Sequence, residues 1–400
     1  MQEIMKEKTV RQFILLSSMF TMSHMVTAGI YVTFLQSHGM SLLQVNLINT
    51  IYFVTIFICE IPTGAYADIF GRKQSFVMAC VLRGMAEWVY GMSSTLWGFV
   101  TAEILAAIGM TFMTGAFKSW LVDSLLHRGY SEVGVRVFGR AKYYSQAWGV
   151  MACIIGSYLG SISLAIPWFV GSGIVLSTAI TAHFIMKEEY FVHRVSSLKE
   201  KYFKLKHTIV SGIRYGMTDK AVRFILIVSF VQILSVQPFN MYWQPFFGSH
   251  GVATVHFGYI YTGMMATLAI GAWIASRVHA DGKERVIIIR SQITVGSIMM
   301  LTAVLSGLPI ILAFFLLHEV GRGFWEPMRD AYLHKRIPSH ERATIDSFCS
   351  ISPHVGGALG LASSGAIAQY GGIPMSWIVG GLVLIMGALL VARNGKAKNI

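Results

Sequence analysis

Apolar runs of 18 or more residues recur along this chain with only short polar breaks between them, near 13–36, 42–66, 75–92, 97–122, 138–161, 165–186, 222–247, 256–277, 286–306, 308–330, 343–369 and 373–393. A hydrocarbon layer roughly 30 Å thick takes about 20 apolar residues per helix, and runs of this length between polar breaks mark spanning helices. The pattern therefore predicts an all-α membrane protein with twelve transmembrane helices. With their short connections they account for the 400 residues, so no large soluble domain is expected.

Composition agrees with that reading. Hydrophobic residues make up 54% of the chain and charged residues 13%, with a mean hydropathy of +0.58, well outside the range of an ordinary soluble domain. The net charge of +13 does not point to nucleic acid, because the basic residues lie between apolar runs and not on a polar face. Those near Lys6, Arg72, Arg128, Lys199, Lys283, Arg336 and Lys396 fall on alternate loops, whereas the short loops 37–41 and 161–167 carry none. By the positive-inside rule both termini are cytoplasmic. Cys59, Cys80, Cys153 and Cys349 lie inside apolar runs at no metal-ligand spacing and read as small hydrophobes. The absence of an N-x-[ST] sequon fits a bacterial inner membrane. Lys6, Lys8 and Arg11 precede a first run that is too long for a signal-peptide core, which reads as a retained helix.

A basic segment, 187–221, separates an N-terminal half, 1–186, from a C-terminal half, 222–400, each with six predicted helices. Its amphiphilic stretch "SSLKEKYFKLKHTIVSGIRYG" is expected to lie on the anionic leaflet. The halves echo one another. "FLQSHGM" at 34–40 recurs as "FFGSHGV" at 246–252, and "DSLLHR" at 123–128 recurs as "DAYLHK" at 330–335. Both pairs occupy equivalent positions in their half, which predicts a parallel duplication of the kind found in transporters that rock one half against the other.

The polar turn "GAYADIFGRK" at 64–73 joins the second and third predicted helices. It resembles the loop signature of the major facilitator superfamily, roughly G-x-x-x-D-R-x-G-R-R/K, through Gly64, Asp68, Gly71, Arg72 and Lys73, with Ile69 where the signature has arginine. The preceding "EIPTG" is similar to the bacterial drug-exporter-like branch. The resemblance implies the major facilitator fold, two six-helix repeats across the whole chain, and a cytoplasmic gate formed by those five residues. Asp68 can accept from a helix N-terminus in the other half, while Arg72 and Lys73 supply pairing charges. The corresponding turn in the second half keeps Asp281 and Arg285. Leu105 and a proline-free "GVMACIIGSYLGS" stand where antiporter patterns have an arginine and a proline.

Ionisable groups at bilayer depth are expensive and usually face a partner or a watery cavity. Glu103 has no basic residue three or four positions away and is the first proton-coupling candidate, with Glu319 and His24 beside it. Glu319, Arg322 and Glu326 fall on one face of the tenth helix, where neighbours can pair; Glu319 and Arg322 read either as a substrate-binding relay or as a static neutralised network. Arg83 and Glu87, four apart, read as a structural ion pair. Helix 7 interleaves amides and aromatics, and its Pro238 and Pro245 can break it. Gln237, Asn240 and Trp243, with Arg322 and Lys118, are candidate substrate-binding residues.

The expected function is secondary active transport, proton-coupled export of an amphipathic small molecule by alternating access. The alternative is proton-coupled or facilitative uptake of a small organic anion on Arg322. No phosphate-binding loop or Cys/His cluster suggests an enzyme, a metal or a cofactor, and protons are the expected coupling ion. The expected partners are a small-molecule substrate and the lipid bilayer, and a monomer already holds both halves of a pathway.

Overall fold

The computed structural model describes residues 7–130, 135–188, 203, 219–278, 282–334 and 342–396. Among these residues the regular structure is entirely helical. In chain order the helices are α1 (Lys8–Ala28), α2 (Tyr31–Ser37), α3 (Leu42–Phe70), α4 (Arg72–Met92), α5 (Leu96–His127), α6 (Val135–Ile162), α7 (Ile166–Ile185), α8 (Lys220–Ser249), α9 (Phe257–Arg277), α10 (Glu284–Val304), α11 (Leu308–His334) and α12 (Arg342–Lys396). The first predicted span is not one rod: α1 and α2 meet at a bend of 46° around Gly29 and Ile30.

Eight helices among the described residues are long and apolar enough to cross a bilayer, nine with the bent α1–α2 pair. The count rises to the twelve read from sequence for physical reasons. Helix α4 carries Arg72, Lys73, Arg83 and Glu87, and α6 carries Arg136, Arg140 and Lys142, so both fall short on hydropathy alone. Helix α12 holds two spans divided at Gly372, whose φ of 83° and ψ of 165° are not helical. A positive φ is open to glycine at little cost, and it sits between the predicted eleventh and twelfth runs.

The chain divides into two compact units. One contains Met1–Gly39, Ile51–Phe203 and Val252–Tyr261, and the other Met40–Thr50, Lys204–Gly251 and Thr262–Ile400. These units differ from the sequence halves by the exchange of two short segments, 40–50 and 252–261. In the first unit Gly258 packs so closely on α6 that a β-carbon there would lie 2.6 Å from Ile154 Cα. In the second unit Asn46 Nδ2 donates to the Leu361 carbonyl at 2.7 Å and to Ser364 Oγ at 3.0 Å. Of the linker 187–221, residues 189–202 and 204–218 lie outside the described residues, as do Asp281 and Lys335.

Each unit has its own packed interior. In the first, Phe117 of α5 stacks between Phe13 of α1 and Phe76 of α4, with ring centroids 4.5 and 4.1 Å apart. In the second, Val222, Ile225, Ile288, Trp325 and Tyr332 form a buried cluster joining α8, α10 and α11. Small residues let the backbones close up. A β-carbon at Gly156 would run into the Val26 carbonyl, and one at Gly323 into that of Leu268.

The internal duplication is visible at atomic detail. His38 Nδ1 donates to the Phe34 carbonyl at 2.9 Å, and His250 Nδ1 to that of Phe246 at 2.8 Å. Ser37 and Ser249 bond the same two carbonyls, and Gly39 and Gly251 follow with φ of 79° and 83°. The repeated Phe-x-x-Ser-His-Gly thus closes a helix in the same way in each unit.

Helix α8 overturns one expectation. It runs unbroken from Lys220 to Ser249 through Pro238 and Pro245. Proline has no N–H to offer the carbonyl four residues back, and at Leu234 that carbonyl faces Gly360 of α12, where a β-carbon would lie 2.6 Å away. The Pro238 carbonyl accepts from Trp377 Nε1 at 3.0 Å. The helix is continuous through both prolines and packed against α12 at these points.

Candidate functional site

In the first unit polar groups from α2, α4 and α5 meet in the interior, and His24 of α1, itself exposed, reaches them from the edge. Glu103 of α5 is 7% exposed, and its Oε2 accepts from the Tyr90 hydroxyl at 2.5 Å. The Tyr90 hydroxyl is 3.3 Å from that of Tyr31 on α2, and its ring stacks on Trp168 of α7 at 4.2 Å. One face of α4 carries Arg83 and Glu87, whose Nε and Oε1 are 2.9 Å apart. Arg83 Nη2 lies 2.7 Å from His24 Nδ1 of α1. Guanidinium groups only donate, so Nδ1 accepts and the ring proton sits on Nε2. Glu87 Oε2 is buried without a hydrogen-bond partner among the described residues.

The pair read from sequence as Arg83 and Glu87 is therefore formed, but it does not stand alone. It reaches His24, and both Arg83 and Glu103 lie within electrostatic reach of Tyr52 on α3. The basic neighbour that Glu103 lacks along its own helix comes from α4.

The second unit gathers His318, Glu319 and Arg322 of α11 against Asn240 of α8. Glu319 Oε1 is 3.2 Å from His318 Nδ1 and 3.3 Å from Arg322 Nη1. The same Nη1 donates to Asn240 Oδ1. His318 and Glu319 are fully buried, and the Phe239 ring lies 4.1 Å from the imidazole, centroid to centroid. His318 Nε2 and Glu319 Oε2 have no partner among the described residues. Two expectations need revision. Glu326 does not join Arg322; its side chain is 71% exposed and its nearest cation is Arg329 at 3.8 Å. Trp243 is 3% exposed, packed away and not presented as an open wall. Gln237 is half-buried, and Lys118 is exposed toward the end of α5.

The 64–73 turn closes α3 and opens α4. Gly71, with φ of 97°, takes the junction because side chains rarely tolerate that backbone. Arg72 Nε pairs with Asp123 Oδ2 of α5 at 2.8 Å, and the Arg72 backbone N–H donates to Glu188 Oε1 at 2.7 Å. Gly64, Asp68 and Lys73 are half-buried around it.

A family model described as the Major Facilitator Superfamily matches residues 13–345. The chain belongs to the Major Facilitator Superfamily. Among relatives, it is 23% identical over 387 residues to an MFS-type transporter of Bacillus subtilis, YxaM, covering 94% of this chain and 93% of that one. It is 21% identical to the multidrug efflux pump Tap of Mycobacterium tuberculosis, covering 88% and 84%. The fold matches the nucleoside transporter NupG with a TM-score of 0.77 at 12% identity, over 98% of this chain and all of that one. It also matches a bacterial homologue of the lysosomal transporter Spinster, with a TM-score of 0.74 at 12% identity and 96% coverage of both.

This member of the superfamily is thus a multi-pass membrane transporter with a buried cluster of ionisable groups in each unit. Reading along the sequence missed His318, Tyr90, Tyr31 and Tyr52. His318 carried a signal, since it directly precedes Glu319 in an apolar helix. The tyrosines carried none, because an aromatic in a membrane helix reads as packing until its hydroxyl is seen to find a carboxylate.

Proposed function

We propose that this transporter exports an amphipathic small molecule in exchange for protons. The observation that carries the reading is the buried Glu103 carboxylate held by a tyrosine hydroxyl. A hydroxyl both donates and accepts, so Tyr90 can bond Glu103 whether the carboxyl is ionised or protonated. Glu103 can then change protonation state without losing its place. Glu319 is matched to Arg322 and serves instead to hold that guanidinium beside Asn240, where a polar group of the substrate is oriented.

The similarity to the multidrug efflux pump Tap favours export over uptake. Energetically, one proton moving through 100 mV supplies about 2.3 kcal/mol, enough for a gradient of roughly fiftyfold. The proposed setting is a bacterial inner membrane with both termini cytoplasmic, since the basic loops alternate along the chain.

A second reading has its own support. Arg322 remains 21% exposed, so it can meet a carboxylate ligand, and uptake of a small organic anion would use it as counter-charge. Arg322→Gln separates the two. Loss of anion binding with no cation transport in the wild type supports uptake, and retained cation-driven proton exchange in the variant supports export.

A further inference from the structure

Below the N-terminal end of α1, within the first unit, is a cavity of about 100 Å³, room for several waters or one phosphate group. Its rim carries Lys8, His127, Arg128 and Lys187, all exposed. Cations from three separate stretches of chain converge there: the first turn of α1, the end of α5 and the segment after α7.

The wall is built and not incidental. Trp120 Nε1 donates to the Lys187 carbonyl at 3.0 Å, and Gln12 Nε2 to that of Ile185 at 3.0 Å. These two bonds hold the chain after α7 against α1 and α5. Two of the acids near the opening are engaged elsewhere, and the third, Glu7, is paired with the rim cation Arg128. Glu7 holds Arg128 at 3.1 Å and Tyr130 at 2.8 Å, Asp123 holds Arg72 at 2.8 Å, and Glu188 holds the Arg72 N–H at 2.7 Å. None of the three lines the cavity.

A second observation points to a ligand. Ser124 lines the cavity, is 6% exposed, and its Oγ is buried without a hydrogen-bond partner among the described residues. Buried hydroxyls normally find a partner. A hydroxyl donor inside a ring of cations matches an anionic oxygen that accepts from both at once.

We infer that this cavity binds an anionic phosphate group. Lys8 and Lys187 supply the charge, Arg128 adds to it while shared with Glu7, and Ser124 Oγ donates from the floor. A phospholipid headgroup and free phosphate share this chemistry. Lys8 opens a spanning helix, so the cavity lies at the level where headgroups are found.

The test is native mass spectrometry of the purified full chain in neutral detergent, titrated separately with phosphatidylglycerol and with inorganic phosphate. Lys8→Gln combined with Lys187→Gln is compared with wild type and with Lys220→Gln combined with Lys283→Gln, two exposed cations of the other unit. Saturable phosphatidylglycerol binding that weakens at least tenfold in the first double variant alone assigns the site to a lipid headgroup. Phosphate binding with the same loss, and no lipid binding, assigns it to soluble phosphate. Equal binding by wild type and the first double variant overturns the inference, as does an equal loss in the control pair. Ser124→Ala keeps every charge and removes one buried oxygen; a loss of about threefold is expected, and unchanged binding contradicts the role given to the floor.

Discussion

Arg322 of α11 reaches two partners with one nitrogen, Glu319 one turn earlier on its own helix and Asn240 on α8. That arrangement fixes the guanidinium from two directions and makes it the link between the acid and the amide-rich face of α8.

Removing only Glu319 or only Arg322 leaves its partner as an unmatched charge. Breaking a buried pair costs about 3–5 kcal/mol, more than the pair itself contributes. With Arg322 partly exposed, the lower end is expected for Arg322→Gln. The double variant Glu319→Gln with Arg322→Gln is therefore expected to unfold at a higher temperature than Arg322→Gln alone. Thermal unfolding in detergent reads this, and a double variant less stable than both singles contradicts the coupling.

Glu103→Gln keeps an acceptor for the Tyr90 hydroxyl, so stability is expected to change by less than about 1 kcal/mol while proton-coupled transport is lost. Tyr90→Phe leaves the carboxylate without its 2.5 Å donor and is expected to cost about 1–3 kcal/mol. Parallel thermal unfolding and transport assays separate the two effects. Full transport by Glu103→Gln removes it from the coupling role.

At the 64–73 turn, Arg72 and Asp123 are 25% and 33% exposed, and a pair in such a setting contributes about 0–1 kcal/mol. Asp123→Asn is thus expected to leave thermal stability almost unchanged. A transport rate that falls severalfold in the same variant would place the pair in the gating motion. Gly71→Ala is different, since its φ of 97° puts a β-carbon in strain worth about 1–2 kcal/mol, which thermal unfolding would register directly.

Close helix contacts set another limit. At Gly271 a β-carbon would meet the Val320 carbonyl and come 2.9 Å from Phe324 N, and at Gly323 it would meet the Leu268 carbonyl. The two glycines thus pack α9 and α11 against each other. Overpacking a fitted interior costs about 1–3 kcal/mol, and here the obstruction is backbone, which cannot turn aside. Gly323→Ala is expected to lower the yield of monodisperse protein sharply in size-exclusion chromatography, with Gly173→Ala, which has open space, as the unaffected control.

What could be read from the sequence follows a physical division. Arg83 with Glu87, and Glu319 with Arg322, were legible because spacings of four and three put them on one helix face. The Phe-x-x-Ser-His-Gly repeats were legible because a helix end is a local structure. Arg83 with His24, Tyr90 with Glu103, Arg72 with Asp123 and Arg322 with Asn240 were not, because each joins two helices whose rotations are set by packing. The same reason defeated the expectations for Trp243 and for the prolines of α8. Propensity argued for a break, and the contacts of Gly360 and Trp377 kept the helix whole.

Proton exchange through Glu103 is read out by internal pH in proteoliposomes. Purified protein is reconstituted with a pH-sensitive dye inside, a proton gradient is imposed, and cationic, neutral and anionic amphiphiles are added in turn. Proton movement triggered by a cationic or neutral amphiphile is expected in the wild type and is abolished in Glu103→Gln. No proton movement with any compound, together with anion flux that ignores the gradient, would contradict it and transfer the central role to Arg322.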